Sequence, residues 1–469
     1  MRTRNLIVLS LIGLLIAISS CRDDFDYDLA SDNLSFSNDT INLDTIFNYT
    51  NSQTYKLTVH NNQNKDVEIP KIYLSRGESS FFKINVDGTP GSEFENIAVR
   101  KKDSIFIFIE IAAGEAPVNP FYEDEINFET TNGTQQVKLI SYIERAKFYI
   151  PEQGQTDVSI TDSPWDNSSS RVIFGNAVAN DLTITHGTKV YFHHDANLTV
   201  NGVLNVTGNI DNKVIFRTDR MDERSDSLPD MWKGIKIKSP NNSVLNTIDY
   251  AVIKGANIGL EVEDSQLNIS NTKIQNNEKI GLYGKNSTIN GRNLVINNAD
   301  LAALGLEGGT YDFRHCTFAN YFNVGQGAGD RYSLILSNDG HDLNQANFYN
   351  NIFYGISLNA IKFDTVTNFN FNYQFDYNVI RMDMPDEFPS GAFSSASHTL
   401  TDDPMFVESE DLVNDLRLLN DSPAKGHADV IYINNDPWTN SLIKDLLGDP
   451  RPGNNSDLNP GAYQNLITP

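Results

Sequence analysis

The sequence predicts an all-β chain: a long solenoid of short stacked strands behind a smaller antiparallel sandwich. Ile253, Ile274, Ile296 and Phe318 recur at steps of 21, 22 and 22 residues, and Leu260, Leu282 and Leu304 at 22 and 22. A fixed period in the low twenties marks an architecture in which neighbouring coils bury one another. Upstream of the repeat, short alternating runs are separated by Asn61-Asn62, Asp87-Gly88 and Asn132-Gly133, the spacing of an antiparallel sandwich.

Each repeat unit holds three short β runs with Gly, Asn and Asp between them and no room for a helix. The third run steps by 22 as well, through Leu267, Ile289 and Tyr311. One coil cannot bury its own apolar face, so Ile must stack on Ile and Leu on Leu. The turns need φ > 0, which Gly and Asn reach at low steric cost. Asn276, Asn277, Asn297, Asn298 and Asn320 occupy like positions and are expected to form amide ladders along the stack. The unit resembles one coil of a right-handed parallel β-helix, the pectate-lyase-like solenoid. The Leu-x-x-Leu-x-Leu frame and helical segment of a leucine-rich repeat are missing.

At 469 residues the chain exceeds one ordinary core, so two or three units are expected. With 36 Lys+Arg against 61 Asp+Glu the net charge is −25. That argues against nucleic acid and anionic membrane surfaces as partners and suits Ca²⁺, neutral glycans or plain solubility. The two cysteines give no disulfide framework: Cys316 lies in a repeat strand as a small core residue, and Cys21 has another role.

Residues 1–21 form a targeting segment. Arg2 and Arg4 supply the positive start, and Leu6 to Ile18 an apolar run too short to span a bilayer comfortably. Ile18, Ser19, Ser20 and Cys21 resemble a lipobox, which implies cleavage before Cys21 and its lipidation. The acidic tether 22–30 begins Arg22, Asp23, Asp24, Phe25, Asp26 and is similar to the surface-export signal of Bacteroidetes lipoproteins. The resemblance implies an outer-membrane lipoprotein facing the cell exterior; an acidic tether on the periplasmic side is the alternative.

Residues 31–147 carry expected strands at Tyr55 to Val59, Val67 to Ile69, Phe81 to Val86, Ser104 to Ile111, Asp124 to Glu129 and Gln136 to Tyr142. The run from Thr58 to Ile72, followed by Phe82 to Val86, resembles immunoglobulin-like modules of the ASH/HYDIN type, which implies a spacer or adhesive support. A Pro-, Asp- and Ser-rich stretch from Ala146 to Arg171 reads as a link, and coils continue over 148–400. Residues 401–469 hold Asp403-Pro404-Met405-Phe406, Ser422-Pro423-Ala424 and Gly461-Ala462-Tyr463-Gln464. They resemble the closing motif of β-helix proteins of this group, with Gln464 in place of Glu and Lys425-Gly426-His427 where Asp-x-Gly is usual. An atypical end is needed to cover the last coil, so this region reads as a cap.

Chemistry is sparse. Asp402-Asp403 lacks the Gly-His-Gly and Arg-Ile-Lys partners of a polygalacturonase, and it reads as part of the cap. His193 and His194 point to opposite faces of a strand and cannot chelate together. Asp339-Gly340-His341-Asp342 offers oxygens to Ca²⁺ but lacks the length of an EF-hand loop; no metal or other cofactor is expected. The best cluster is the loop of Asp219, Arg220, Asp222, Glu223 and Arg224, with Trp232 and Lys233 behind it. Interleaved charges beside an aromatic could grip a sugar, or could form a salt-bridged loop over the coils.

The fold class is therefore all-β, a right-handed parallel β-helix solenoid preceded by an immunoglobulin-like β-sandwich. The functional reading is a monomeric surface lipoprotein, held in the outer membrane by its lipid, whose β-helix binds glycan or supports other surface components without catalysis. Rows of Tyr, Phe and Asn on an elongated face suit long polymers. The alternative is a polysaccharide lyase or glycoside hydrolase acting on a polymeric glycan.

Overall fold

The computed structural model describes residues 27–30, 34–240, 244–324, 329–393, 398–409, 414–438 and 441–468. The targeting segment, Cys21 and the first residues of the acidic tether lie outside these. The chain divides into two compact units, residues 1–145 and 146–469.

The first unit is a β-sandwich. One sheet has the order Leu34–Phe36, Tyr55–Asn61, Ser104–Ile111, Phe82–Val86, Thr89–Gly91, all antiparallel. Ser104–Ile111 shows why it is a strand: Ile105, Ile107, Ile109 and Ile111 are buried, while Phe106 and Phe108 face out. Asp87 (φ 46°) and Gly88 (φ 88°) join two strands by a two-residue turn with both φ values positive, the hairpin geometry that Asp-Gly favours. The other sheet is built on Val67–Leu74, Phe121–Thr130 and Gly133–Glu144. It also takes Glu93–Val99, a strand the sequence did not suggest, and Asp28–Leu29 and Thr40–Asn42, which pair in parallel rather than antiparallel.

The second unit is a parallel β-helix of three sheets with 11, 9 and 8 strands. One coil runs Ala251–Lys254, Ile258–Glu263, Gln266–Ser270, and the next begins at Lys273–Asn277. The repeat read from the sequence is the register of the sheets. Ile253 pairs with Ile274, Ile274 with Ile296 and Ile296 with Phe318. Leu260, Leu282 and Leu304 stack likewise, as do Leu267, Ile289 and Tyr311. Of these ten residues, nine are 0% exposed and Tyr311 is 1% exposed. Each buried aliphatic contributes about 1.5–3 kcal/mol. The region read as a link is already coil: Ala146–Tyr149, Asp157–Ile160 and Ser170–Ile173 are strands of the stack.

The corners explain the Asn-rich turns. Tyr250, Asn271, Asn293, His315, Asn350 and Tyr377 form one corner column with φ between 47° and 58°. Amide ladders form in part. Asn293 donates to Asn271 at 3.0 Å and Asn298 to Asn276 at 3.2 Å. The expected rungs at Asn277 and Asn297 are not made: both amide groups of Asn277 lack a partner among the described residues, and Asn297 donates to Asn414 instead.

The C-terminal region departs from the expected cap. It lies along the side of the solenoid rather than over its last coil. Asn350 exchanges two hydrogen bonds with the backbone of Asp429, Asn293 donates to Lys444 O at 2.9 Å, and Ala462 N donates to Thr317 Oγ1 at 3.0 Å. A second apolar cluster joins Val295, Ala319 and Ile352 to Leu416, Leu446 and Tyr463. Arg292, fully buried, bonds Asp436 Oδ1 through Nε at 3.0 Å and a terminal nitrogen at 2.8 Å. The end of the stack is closed instead by an aromatic group that includes Phe363, Phe371, Tyr373, Phe388 and Phe393.

Beneath this strap lies His315, whose Nε2 accepts from Asn350 Nδ2 at 2.9 Å. Burial, with the positive charge of Arg451 added, pushes its pKa well below 6.5. The folded protein therefore holds a neutral ring that the unfolded chain protonates more readily. Stability is complete above about 6.5 and falls as the pH drops below it. Melting curves between about pH 7 and pH 5 should show that fall. His315→Asn keeps a residue suited to the left-handed corner and should flatten the curve; an unchanged slope would remove His315 as its origin.

Candidate functional site

The loop singled out in the sequence is tied to the coils by its own charges. Arg220 Nε bonds Asp222 Oδ2 at 3.0 Å, Arg217 bonds Asp226 at 2.6 Å, and Lys254 bonds the other oxygen of Asp226 at 2.5 Å. Lys233 lies between Asp195 at 2.8 Å and Asp230 at 3.4 Å. Asp219 meets His193 Nδ1 at 2.7 Å. Trp232 is 0% exposed, stacks on Phe192 with ring centroids 3.9 Å apart and donates to Lys254 O. It is a core residue and presents no face to a ligand. Arg224 stays exposed, and the side chain of Glu223 lies outside the described residues. The residues come together, but as a salt-bridged loop over a buried Trp.

The remaining sequence candidates do not converge. His193 and His194 bond different carboxylates, Asp219 and Asp195. In the Asp339 to Asp342 loop, Asp342 caps Asn370 N at 2.7 Å and His341 lies 3.8 Å from Glu307. Asp403 turns the chain by accepting from Met405 N. Among the described residues no group of three or more His, Cys, Asp or Glu side chains is placed to hold a metal ion.

Two features define a better site, a polar face of the kind the Asn rows suggested and a cleft that no motif pointed to. The first is the outward face of the 8-stranded sheet. Thr183, Asn205, Thr247, Asn268, Asn290, Asp312, Asn347 and Gln374 stand in one column, one per strand. At strand spacing the column runs about 34 Å. Beside it stand Gln266, Thr288, Thr310 and Gln345. Asn290 donates to Asn268 at 3.0 Å and Gln345 to Asn347 at 2.8 Å. The one charge in these columns, Asp312, is neutralised by Arg292 and Arg314. The 9-stranded sheet differs: its outward face is ionic, with Lys236 on Glu261 and Glu263 and Lys285 on Glu307. Hydrogen bonds from Lys236 and Lys238 pull the Glu263 carboxyl down to about 2.

The second feature is a cleft of about 790 Å³ at the end of that polar face. Phe371, Tyr373 and Phe393 give it an aromatic wall, and Asn372 and Gln374 line it with amides. At its lip, His398 Nδ1 meets Asp376 Oδ1 at 2.7 Å, and the Tyr432 hydroxyl donates to the other carboxylate oxygen. The contact fixes the ring through Nδ1 and leaves Nε2 free of the carboxylate. His398 stacks on Tyr377 at 4.2 Å, and Tyr432 on Tyr349 at 4.1 Å. Desolvation and the Asp376 carboxylate raise the pKa of Tyr432, keeping its proton in the bond. The three residues come from a last-coil strand, the segment entering the final strand and a short helix at Ile431–Asn434. They lie 22 and 56 residues apart, and no motif links them.

No protein-family model matches this chain, and no curated protein matches its sequence. Solved structures with partial likeness include the ASH/PapD-like domain 7 of human CEP192. It is 15% identical with a TM-score of 0.18, covering 27% of this chain and 96% of that one. A family 123 glycoside hydrolase from Clostridium perfringens is 11% identical with a TM-score of 0.17, covering 24% of this chain and 26% of that one. A protein of unknown function from Porphyromonas gingivalis W83 is 10% identical with a TM-score of 0.18, covering 27% and 58%. Likeness at this level says nothing of activity, and the fold stands on the strand pairing. No helix among the described residues is long and apolar enough to cross a membrane.

Proposed function

We propose that this chain is a lipid-anchored protein of the outer membrane, exposed at the cell surface, whose solenoid binds a neutral polymeric glycan along the outward face of the 8-stranded sheet without cleaving it. The column of hydroxyl and amide side chains from Thr183 to Gln374 carries the reading. Such groups donate and accept as sugar hydroxyls do, and they repeat at a fixed spacing along a straight face. A net charge of −25 repels polyanions and leaves neutral chains as the favoured polymer. Retention on immobilised neutral polysaccharides, set against polyuronates, tests it. Replacing Asn268 and Asn290 together by Ala should weaken retention about tenfold, since two hydrogen bonds of about 0.5–1.5 kcal/mol each are lost. Preference for the polyuronate, or release of new reducing ends, would replace binding with the lyase or hydrolase reading.

The anchor rests on the apolar run ending at Ile18 and on Cys21 directly after Ser19 and Ser20. Cys21→Ser should leave the protein unprocessed or free it from membranes, because stable anchoring takes the several chains of a mature lipoprotein. Lipid-precursor labelling that persists in this variant would refute the assignment.

A further inference from the structure

We propose that the cleft between Tyr373 and His398 is a separate terminal site, which takes the last one to three units of a neutral glycan chain and so gives the solenoid a defined end for its ligand. The proposal rests on the glycan-binding reading above and adds where the chain stops. Its size, about 790 Å³, falls within the roughly 300–1,000 Å³ of small-ligand sites. Its walls have the two chemistries a sugar presents. The cleft straddles the edge of the last strand of its sheet: Phe371 and Tyr373, on the inner side, offer the partly exposed margins of their rings to the C–H face, and Asn372 and Gln374, on the outer side, offer amides to the hydroxyl edge.

His398 supplies the directional contact. Both oxygens of Asp376 are engaged, one by the His398 ring and one by Tyr432, so the carboxylate cannot swing away. The ring is held a second time by stacking on Tyr377. A polar ring fixed before the ligand arrives loses little freedom on binding. The side chain is 37% exposed, so it is not sealed under the strap. Continuity with the polar face comes from the strand Phe371–Asp376. Gln374 is the last rung of the outward column and also a lining residue of the cleft. A chain lying on the column reaches the cleft without leaving hydrogen-bonding side chains.

The test uses the full-length protein and neutral gluco- and manno-oligosaccharides of one to eight units, followed by calorimetry and saturation-transfer NMR. Di- and trisaccharides should bind the wild type. Tyr373→Ala and His398→Gln should each lower that affinity about tenfold, as loss of one stacking contact or one directed hydrogen bond predicts. The Asn268/Asn290 double Ala variant should bind the short sugars normally and lose affinity only for the long ones. Short sugars that fail to bind the wild type, or that bind Tyr373→Ala and His398→Gln unchanged, overturn the terminal site while leaving the face intact. Long chains indifferent to the Asn pair overturn the face while leaving the terminal site intact. Melting curves identify a variant that has lost its fold, and the other variant then decides.

Discussion

Leu282→Asp is expected to unfold the middle of the solenoid while the sandwich stays folded. Leu282 is 0% exposed and pairs with Leu260 below and Leu304 above, so a carboxylate there meets apolar side chains on both sides. The lost aliphatic and the unpaired charge together cost about 5 kcal/mol or more. That is comparable to the whole stability of many domains, about 5–15 kcal/mol. The sandwich has its own core, built on residues such as Ile107, Phe128 and Leu139, and should keep its transition. Calorimetry should show one peak lost or shifted far down and one unmoved. Thr288→Ser, on the outward face six residues along, should cost less than about 0.5 kcal/mol. A Leu282→Asp variant that melts as the wild type does would contradict the stacking.

Asp436→Ala should loosen the strap. It removes the carboxylate that meets Arg292 through two nitrogens and leaves a guanidinium that is 0% exposed on its side-chain surface with Asp312 as its remaining counter-charge among the described residues. Breaking a buried pair from one side costs about 3–5 kcal/mol. The expected readouts are a lower melting temperature and faster proteolysis after residue 401. Replacing both partners, Arg292→Met with Asp436→Leu, should recover much of the loss, because no buried charge is then left alone. Unchanged proteolysis in Asp436→Ala would show that the apolar cluster around Val295 holds the strap by itself.

The repeat was legible residue by residue because its cause is local: each coil must present the same apolar side chain at the same step, and the step is written in the spacing from Ile253 to Phe318. The sandwich strands were legible for the same reason, through alternation. The strap was not. Its partners are far apart in sequence, 144 residues for Arg292 and Asp436 and 151 for Asn293 and Lys444, and pairing at that range leaves no period. One signal existed. The strand Val295–Ala299 is buried at every position, so it has a cover on both faces, where its neighbour Lys273–Asn277 alternates at its start. Trp232 was misplaced because it sits among charges in sequence; its side chain turns inward onto Phe192. The cleft was invisible because Asp376, His398 and Tyr432 meet only when the last coil and the strap are both in place.

The strap also sets an order of events. A bare solenoid can form coil by coil, each new coil templated by the one before it, with contacts that are short along the chain. Here Arg451 must find Asn293, 158 residues earlier, and Gly461 N must find Asn350 O. Those closures come only after the coils between them exist, because the strap follows those coils along the chain. The structure thus behaves like a stack of plates strapped along one side after stacking. Coils from Arg292 to Tyr377 stop being independent units and open together or not at all, whereas the first coils, ahead of the strap's main contacts, keep the freedom to open one at a time.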